Sequence, residues 1–204
     1  VCDRISDEIV DLFFCLVPKA GIDPWAIRAA CETLATTNRV VIAGETRGPK
    51  SVTNDQIESV VRAAIKDIGY EQAGFHWKTC KIDVLLHGQS ADIAQGVDHA
   101  SDDYLNQGAG DQGLMFGYAC DETPELMPLP IALSHRILNR LTKARQTGEV
   151  DWLRPDSKSQ VTIEYEGHRP IRVHTVVVST QHAPEVTQDE IKKTVIEKII
   201  KSVI

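Results

Sequence analysis

The feature that most constrains how this chain can fold is an order of apolar periodicities that occurs twice: helix, hairpin, helix. In the first half Ile5, Ile9, Leu12, Phe13 and Leu16 recur at helical spacing and define one stripe that must be covered. Pro18 is expected to end that helix, because proline lacks an amide hydrogen and crowds the preceding turn. Asp23-Pro24 reads as a turn. Extended runs around 27–34 and 39–43, bent at Thr36-Thr37-Asn38, predict a hairpin. Thr53 and Gln56 have capping-box form. After them Ile57, Val60, Val61, Ala64, Ile65 and Ile68 make a second stripe, stopped by Gly69. Residues 82–86 read as a short apolar strand.

The same order returns further on. Pro128 and Pro130 lead into a helix with Ile131, His135, Leu138 and Leu141 on one side. A hairpin follows, from 161–165 through Glu166-Gly167-His168 to 171–179. Thr187 and Glu190 form another capping box, and Ile191, Val195, Ile199 and Val203 ride the final helix. Between the halves, residues 88–113 carry little periodicity and much Gly, Asp, Gln and Ser, as functional or mobile loops do. The fold class is therefore α+β, with repeated modules of antiparallel sheet and helices on one face.

Composition narrows the function. A net charge of −7 lacks the basic surface that nucleic acid requires, so no nucleic acid partner is expected. No apolar run approaches the length that crosses a bilayer, so no membrane association is expected either. Cys2, Cys15, Cys31, Cys80 and Cys120 form no CxxC pair, and the histidines show no metal-ligand spacing. Free thiols in a reducing cytoplasm, without structural zinc, are the reading. Val1 opens directly into a helical pattern and the chain stops in mid-helix at Ile204, which reads as a piece of a longer protein.

Four segments could carry chemistry. GAGDQGLMFGY at 108–118 holds 4 of the 13 glycines. It is either a polar turn or a place where backbone lies against a ligand and presents Asp111 and Gln112 at short range. Asp156 and Lys158, within RPDSKSQ at 154–160, are either a charged turn before a strand or a bracket for a nucleotide, with the lysine on phosphate oxygens. Glu45 follows Gly44 at the end of an apolar strand, where it could grip an ammonium group or lie solvated. Glu32 interrupts an apolar stretch. If buried, it needs a cationic partner or a raised pKa. Gln89 carries no signal of its own.

The segment at 108–118 resembles the signature of the S-adenosylmethionine synthetases (methionine adenosyltransferases). DRISD at 3–7, ACET at 30–33, AGE at 43–45, QSADIAQGV at 89–97, WLRPDSKSQV at 152–161 and VSTQH at 178–182 match the same family in the same order. The resemblance implies an enzyme that joins ATP to L-methionine. Sulfur attacks C5′ of the ribose, and the displaced triphosphate is hydrolysed to pyrophosphate and phosphate with Mg2+ and K+ present. It implies a fold of three α+β domains with pseudo-threefold symmetry, in a homodimer or homotetramer with active sites between subunits.

Residue by residue, the resemblance implies that Glu45 and Gln89 hold methionine and that Glu32 is a potassium-site carboxylate. It places Asp156, Ser157 and Lys158 on ATP, and makes Lys158 and Asp111 catalytic. The domain scheme it implies is a first module at 1–88 whose start is truncated, a mobile active-site loop region at 89–107, and a second module at 108–204. The family's GHPDK loop is expected before Val1, and its third module, with the DxGxTGRK and GGGAFSGKD segments, beyond Ile204. A second expectation follows: the chain as given is a non-catalytic ligand-binding or dimerisation fragment of that enzyme.

Overall fold

The computed structural model describes residues 1–90 and 112–204, with the backbone alone at 17–20. The chain divides into two compact units, Val1–Leu114 and Met115–Ile204.

The first unit is built on helix α1, Cys2–Ala20. Ile5, Ile9 and Phe13, spaced four apart, are buried on one stripe that packs against the first strand and the second helix. The helix does not stop at Pro18. It runs on to Ala20 and is followed by Gly21 at φ +65, a left-handed conformation that ends helices without steric cost. A proline this close to the end forfeits one intrahelical bond, so the turn survives. Asp23 caps a short 3-10 turn, Pro24–Ala26, by accepting from the Trp25 amide.

Strands β1, Arg28–Thr36, and β2, Arg39–Arg47, form the expected antiparallel hairpin. Its tip is pinned, because the Asn38 amide donates to the Gly74 carbonyl and the Asn38 carbonyl accepts from the Lys81 amide. Helix α2, Asn54–Ile68, opens on a complete Thr53/Gln56 capping box and closes on Gly69 at φ +102. Two short strands, β3 (Glu71–Gln72) and β4 (Phe75–His76), lead to β5, Lys81–Gly88. That last strand pairs with β2 in parallel, an arrangement that requires the long crossover connection which α2 provides. The sheet order is β1-β2-β5.

Alternation along these strands separates two faces. Val40 and Ile42 are fully buried beneath the helices, each contributing about 1.5–3 kcal/mol. Leu34 and Leu85 stand on the opposite side, 63% and 59% exposed. The rows across the sheet are Leu34–Val41–Asp83, Glu32–Ala43–Leu85 and Ala30–Glu45–His87.

The second unit repeats the plan. Helix α3, Leu129–Gln146, buries Leu133, Ile137, Leu141 and Ala144. Ile131 and His135, expected on the covered side, are exposed. The contact with the hairpin selects the neighbouring i, i+4 row, whose Leu133 and Ile137 are purely apolar, and leaves the imidazole in water. Strands β6 (Leu153–Glu166) and β7 (Arg169–His182) make a long hairpin around Gly167 at φ +61. Thr187 caps helix α4, Gln188–Thr194, which continues as a π turn over Val195–Ile199 and a 3-10 turn over Ile200–Ser202. Val195 and Ile199 are buried there. Each unit thus sets helices on one face of its sheet.

Candidate functional site

In the first unit the candidate residues gather where β2 and β5 end together. The Gln89 amide continues the parallel ladder by donating to the Thr46 carbonyl at 3.1 Å. The next amide, that of Ser90, leaves the ladder and donates to Oε2 of Glu45 at 3.3 Å. Glu45 and Gln89, distant in sequence, therefore meet at one corner of the sheet. Oε1 of Gln89 is buried and has no hydrogen-bond partner among the described residues. A buried acceptor without a donor costs about 1–3 kcal/mol. The corner thus carries acceptor oxygens from both residues and the negative charge of Glu45, a set that an ammonium group can use.

Gly44 shapes this corner. Its φ is +139, and a Cβ placed there would lie 2.0 Å from the Ala30 carbonyl oxygen. The sequence marked Gly44 only as the residue before Glu45, and Ser90 acts through its backbone, which no side-chain pattern reveals.

Glu32 is exposed on the open face of the sheet, so its carboxylate is not the buried charge that its apolar neighbours suggested. Strand alternation explains this: Cys31 and Thr33 face α1, where Ser6 and Thr33 share a 2.8 Å hydrogen bond, while Glu32 points away. Burial accordingly pushes the Cys31 thiol pKa up. Glu32 and Glu45 lie on adjacent rows of the sheet, a diagonal of about 7–8 Å.

In the second unit, residues 154–160 are not a turn before the strand; they are part of β6. The pairing with β7 resumes at Ser157 after an irregularity that spans Pro155, as expected for a residue that cannot donate to a ladder. Asp156 and Lys158 share the exposed face and pair with each other at 2.9 Å. Ser157 lies on the helix-facing side and exchanges a 2.9 Å hydrogen bond with Thr180. The strand therefore presents the lysine and the aspartate together and turns the serine inward. Asp111, and with it the first four residues of the glycine-rich segment, 108–111, lies outside the described residues, as do 91–107 of the expected loop region.

Among the described residues no three His, Cys, Asp or Glu side chains could hold a metal ion. Glu32 is an exposed carboxylate, a hard-oxygen donor that could supply one ligand to a cation. Asp156 is engaged by Lys158, so the described residues form no cage for Mg2+, which commonly takes one or two carboxylates and completes its shell with phosphate and water. No helix among the described residues is long and apolar enough to cross a membrane.

A repeated α+β protein with acceptor oxygens for a small cation in one unit and an amine on an open strand in the other is the class that fold and site define. Two family models then match consecutive parts of the chain: the S-adenosylmethionine synthetase N-terminal domain over residues 1–91 and its central domain over 106–204. The S-adenosylmethionine synthase of Bradyrhizobium diazoefficiens is 66% identical over 96% of this chain and half of its own length. Those of two Rhodopseudomonas palustris strains are 68% and 71% identical, over 96% and 91% of this chain. The chain belongs to the S-adenosylmethionine synthetase family, and it spans about half the length of the curated relatives it matches.

Proposed function

We propose that the protein carrying this chain forms S-adenosylmethionine from ATP and L-methionine. The observation that carries this reading is the corner at the ends of β2 and β5, where the Ser90 amide holds the Glu45 carboxylate and the neighbouring Gln89 keeps a buried side-chain oxygen without a partner among the described residues. There they receive the amino group of methionine and hold its sulfur in line with C5′ of ATP, an entropic advantage. Attack turns a neutral sulfur into a sulfonium cation while triphosphate departs. The carboxylates of Glu45 and Asp111 favour the first charge. Lys158, released from Asp156, favours the second, and Asp156 and Ser157 complete the ATP contacts of that strand. Mg2+, when bound, would supply positive charge to the phosphates, and Glu32 would serve as one ligand of K+.

In this reading 1–88 and 108–204 are two of three modules, 89–107 is the active-site loop region between them, and the enzyme works in the cytoplasm as a homodimer or homotetramer. The open sheet face, with Leu34 and Leu85 exposed, supports the subunit contact. The same face supports the second reading, in which residues 1–204 alone bind ligand or dimerise without turnover. One experiment tests both. The full-length protein, given ATP, methionine, MgCl2 and KCl, yields S-adenosylmethionine with phosphate and pyrophosphate in equal amounts, whereas residues 1–204 yield none. A full-length protein without methionine-dependent product would defeat the proposal.

A further inference from the structure

We infer that Gly44 is a positioning residue that aims the Glu45 carboxylate into the β2/β5 corner. This rests on the reading that Glu45 and Gln89 hold the amino acid.

Two observations carry it. Gly44 has φ +139, a conformation that side-chain-bearing L-residues rarely adopt. Independently, a Cβ there would meet the Ala30 carbonyl oxygen at 2.0 Å, the Ala30 carbonyl carbon at 3.1 Å and the Cys31 Cα at 3.4 Å. All three are backbone atoms of the neighbouring strand, so no side chain can swing aside to make room. Ala30 is also the residue directly opposite Glu45. Any larger residue at 44 must therefore either push β1 from β2 at the Ala30–Glu45 pair or turn its own φ negative. Both responses redirect the next residue, and the 3.3 Å contact from the Ser90 amide to Glu45 is lost. A core substitution such as Ile42→Ala would lower stability without this directional effect.

The test uses the full-length protein. Gly44→Ala is expected to raise the methionine KM at least about tenfold while the ATP KM stays within about twofold. In the Glu45→Gln background the same substitution adds little further. An unchanged methionine KM, or an undiminished effect in that background, overturns the inference. Hydrogen exchange of peptides covering Ser90 gives a readout independent of activity. Faster exchange in Gly44→Ala supports the proposal and equal protection overturns it, whether or not the protein makes product. Should Gly44→Ala fail to fold, Glu45→Asp withdraws the carboxylate by one methylene without disturbing the backbone. A raised methionine KM with unchanged melting temperature supports the proposal, and an unchanged KM defeats it. A wild-type protein that makes no methionine-dependent product counts against the functional reading alone.

Discussion

The backbone amide of Ser90 donates to the carboxylate of Glu45 across 45 positions of sequence, at 3.3 Å. The contact ties the end of one strand to the next, and the second carboxylate oxygen has no hydrogen bond among the described residues. Replacing Glu45 with Gln keeps the shape and an acceptor but removes the charge. A hydrogen bond to a charged group contributes about 1.5–3 kcal/mol, so the methionine KM is expected to rise roughly ten- to hundredfold. The ATP KM and the melting temperature should scarcely move. Steady-state kinetics with each substrate varied would expose a parallel rise in both constants, which would refute a methionine-side role.

Lys158 and Asp156 are an exposed pair on the open face of β6, 74% and 52% accessible at their side chains. Such a pair contributes at most about 1 kcal/mol, so Lys158→Met is expected to leave the melting temperature within a few degrees. If the lysine meets departing phosphate, turnover falls more than about a hundredfold. Near-normal turnover, or gross unfolding in a thermal melt, would contradict that assignment.

Much of the fold was legible because local signals and packing agreed. The Thr53/Gln56 box, the Gly69 stop and the Ile5–Ile9–Phe13 stripe all sit where their spacing puts them. Two of the failures share a cause: tertiary contact chose between local options that were nearly equal. Helix α3 has two apolar rows, and the hairpin beneath it selected Leu133 and Ile137 over Ile131 and His135. RPDSKSQ reads locally as a turn, yet pairing with Thr180 and Ser179 extends it into β6. The candidate corner was half legible, since Glu45 and Gln89 are side chains in recognisable segments. The Ser90 amide and the Gly44 backbone have no signature beyond their geometry.

The two faces of the first sheet make a paired test of stability. Ile42 is fully buried, and Ile42→Ala is expected to cost about 2–5 kcal/mol in urea unfolding. Leu34, 63% exposed on the other face, should cost no more than about 0.5 kcal/mol in residues 1–204 as a monomer. A larger loss for Leu34→Ala that grows with protein concentration would mean that a second copy covers this face. A large loss independent of concentration would mean that the face is covered within the chain.

Tyr165 and Glu122 provide a pH-dependent test of the second unit. The Tyr165 hydroxyl and the Leu129 amide both donate to Oε2 of Glu122, each at 2.8 Å, fixing the start of α3. The Leu129 amide first, and then the Tyr165 hydroxyl, hold the Glu122 carboxyl below its ordinary value of 4.5. A lowered pKa contributes stability above that value and loses it as pH falls through the folded pKa. Partial burial and the neighbouring carboxylate push the Tyr165 phenol from 10.0 up to about 12. Here the sign reverses: the folded state keeps its proton while the unfolded chain releases it. The contribution is therefore complete below pH 10.0 and declines towards about 12. Tyr165→Phe removes the alkaline component, while the Leu129 amide preserves part of the acidic one. Urea midpoints should differ between wild type and Tyr165→Phe by a constant amount from about pH 6 to 9, and that gap should narrow above pH 10.0. A gap that stays constant into the alkaline range would show that the Tyr165 proton is not held by this contact.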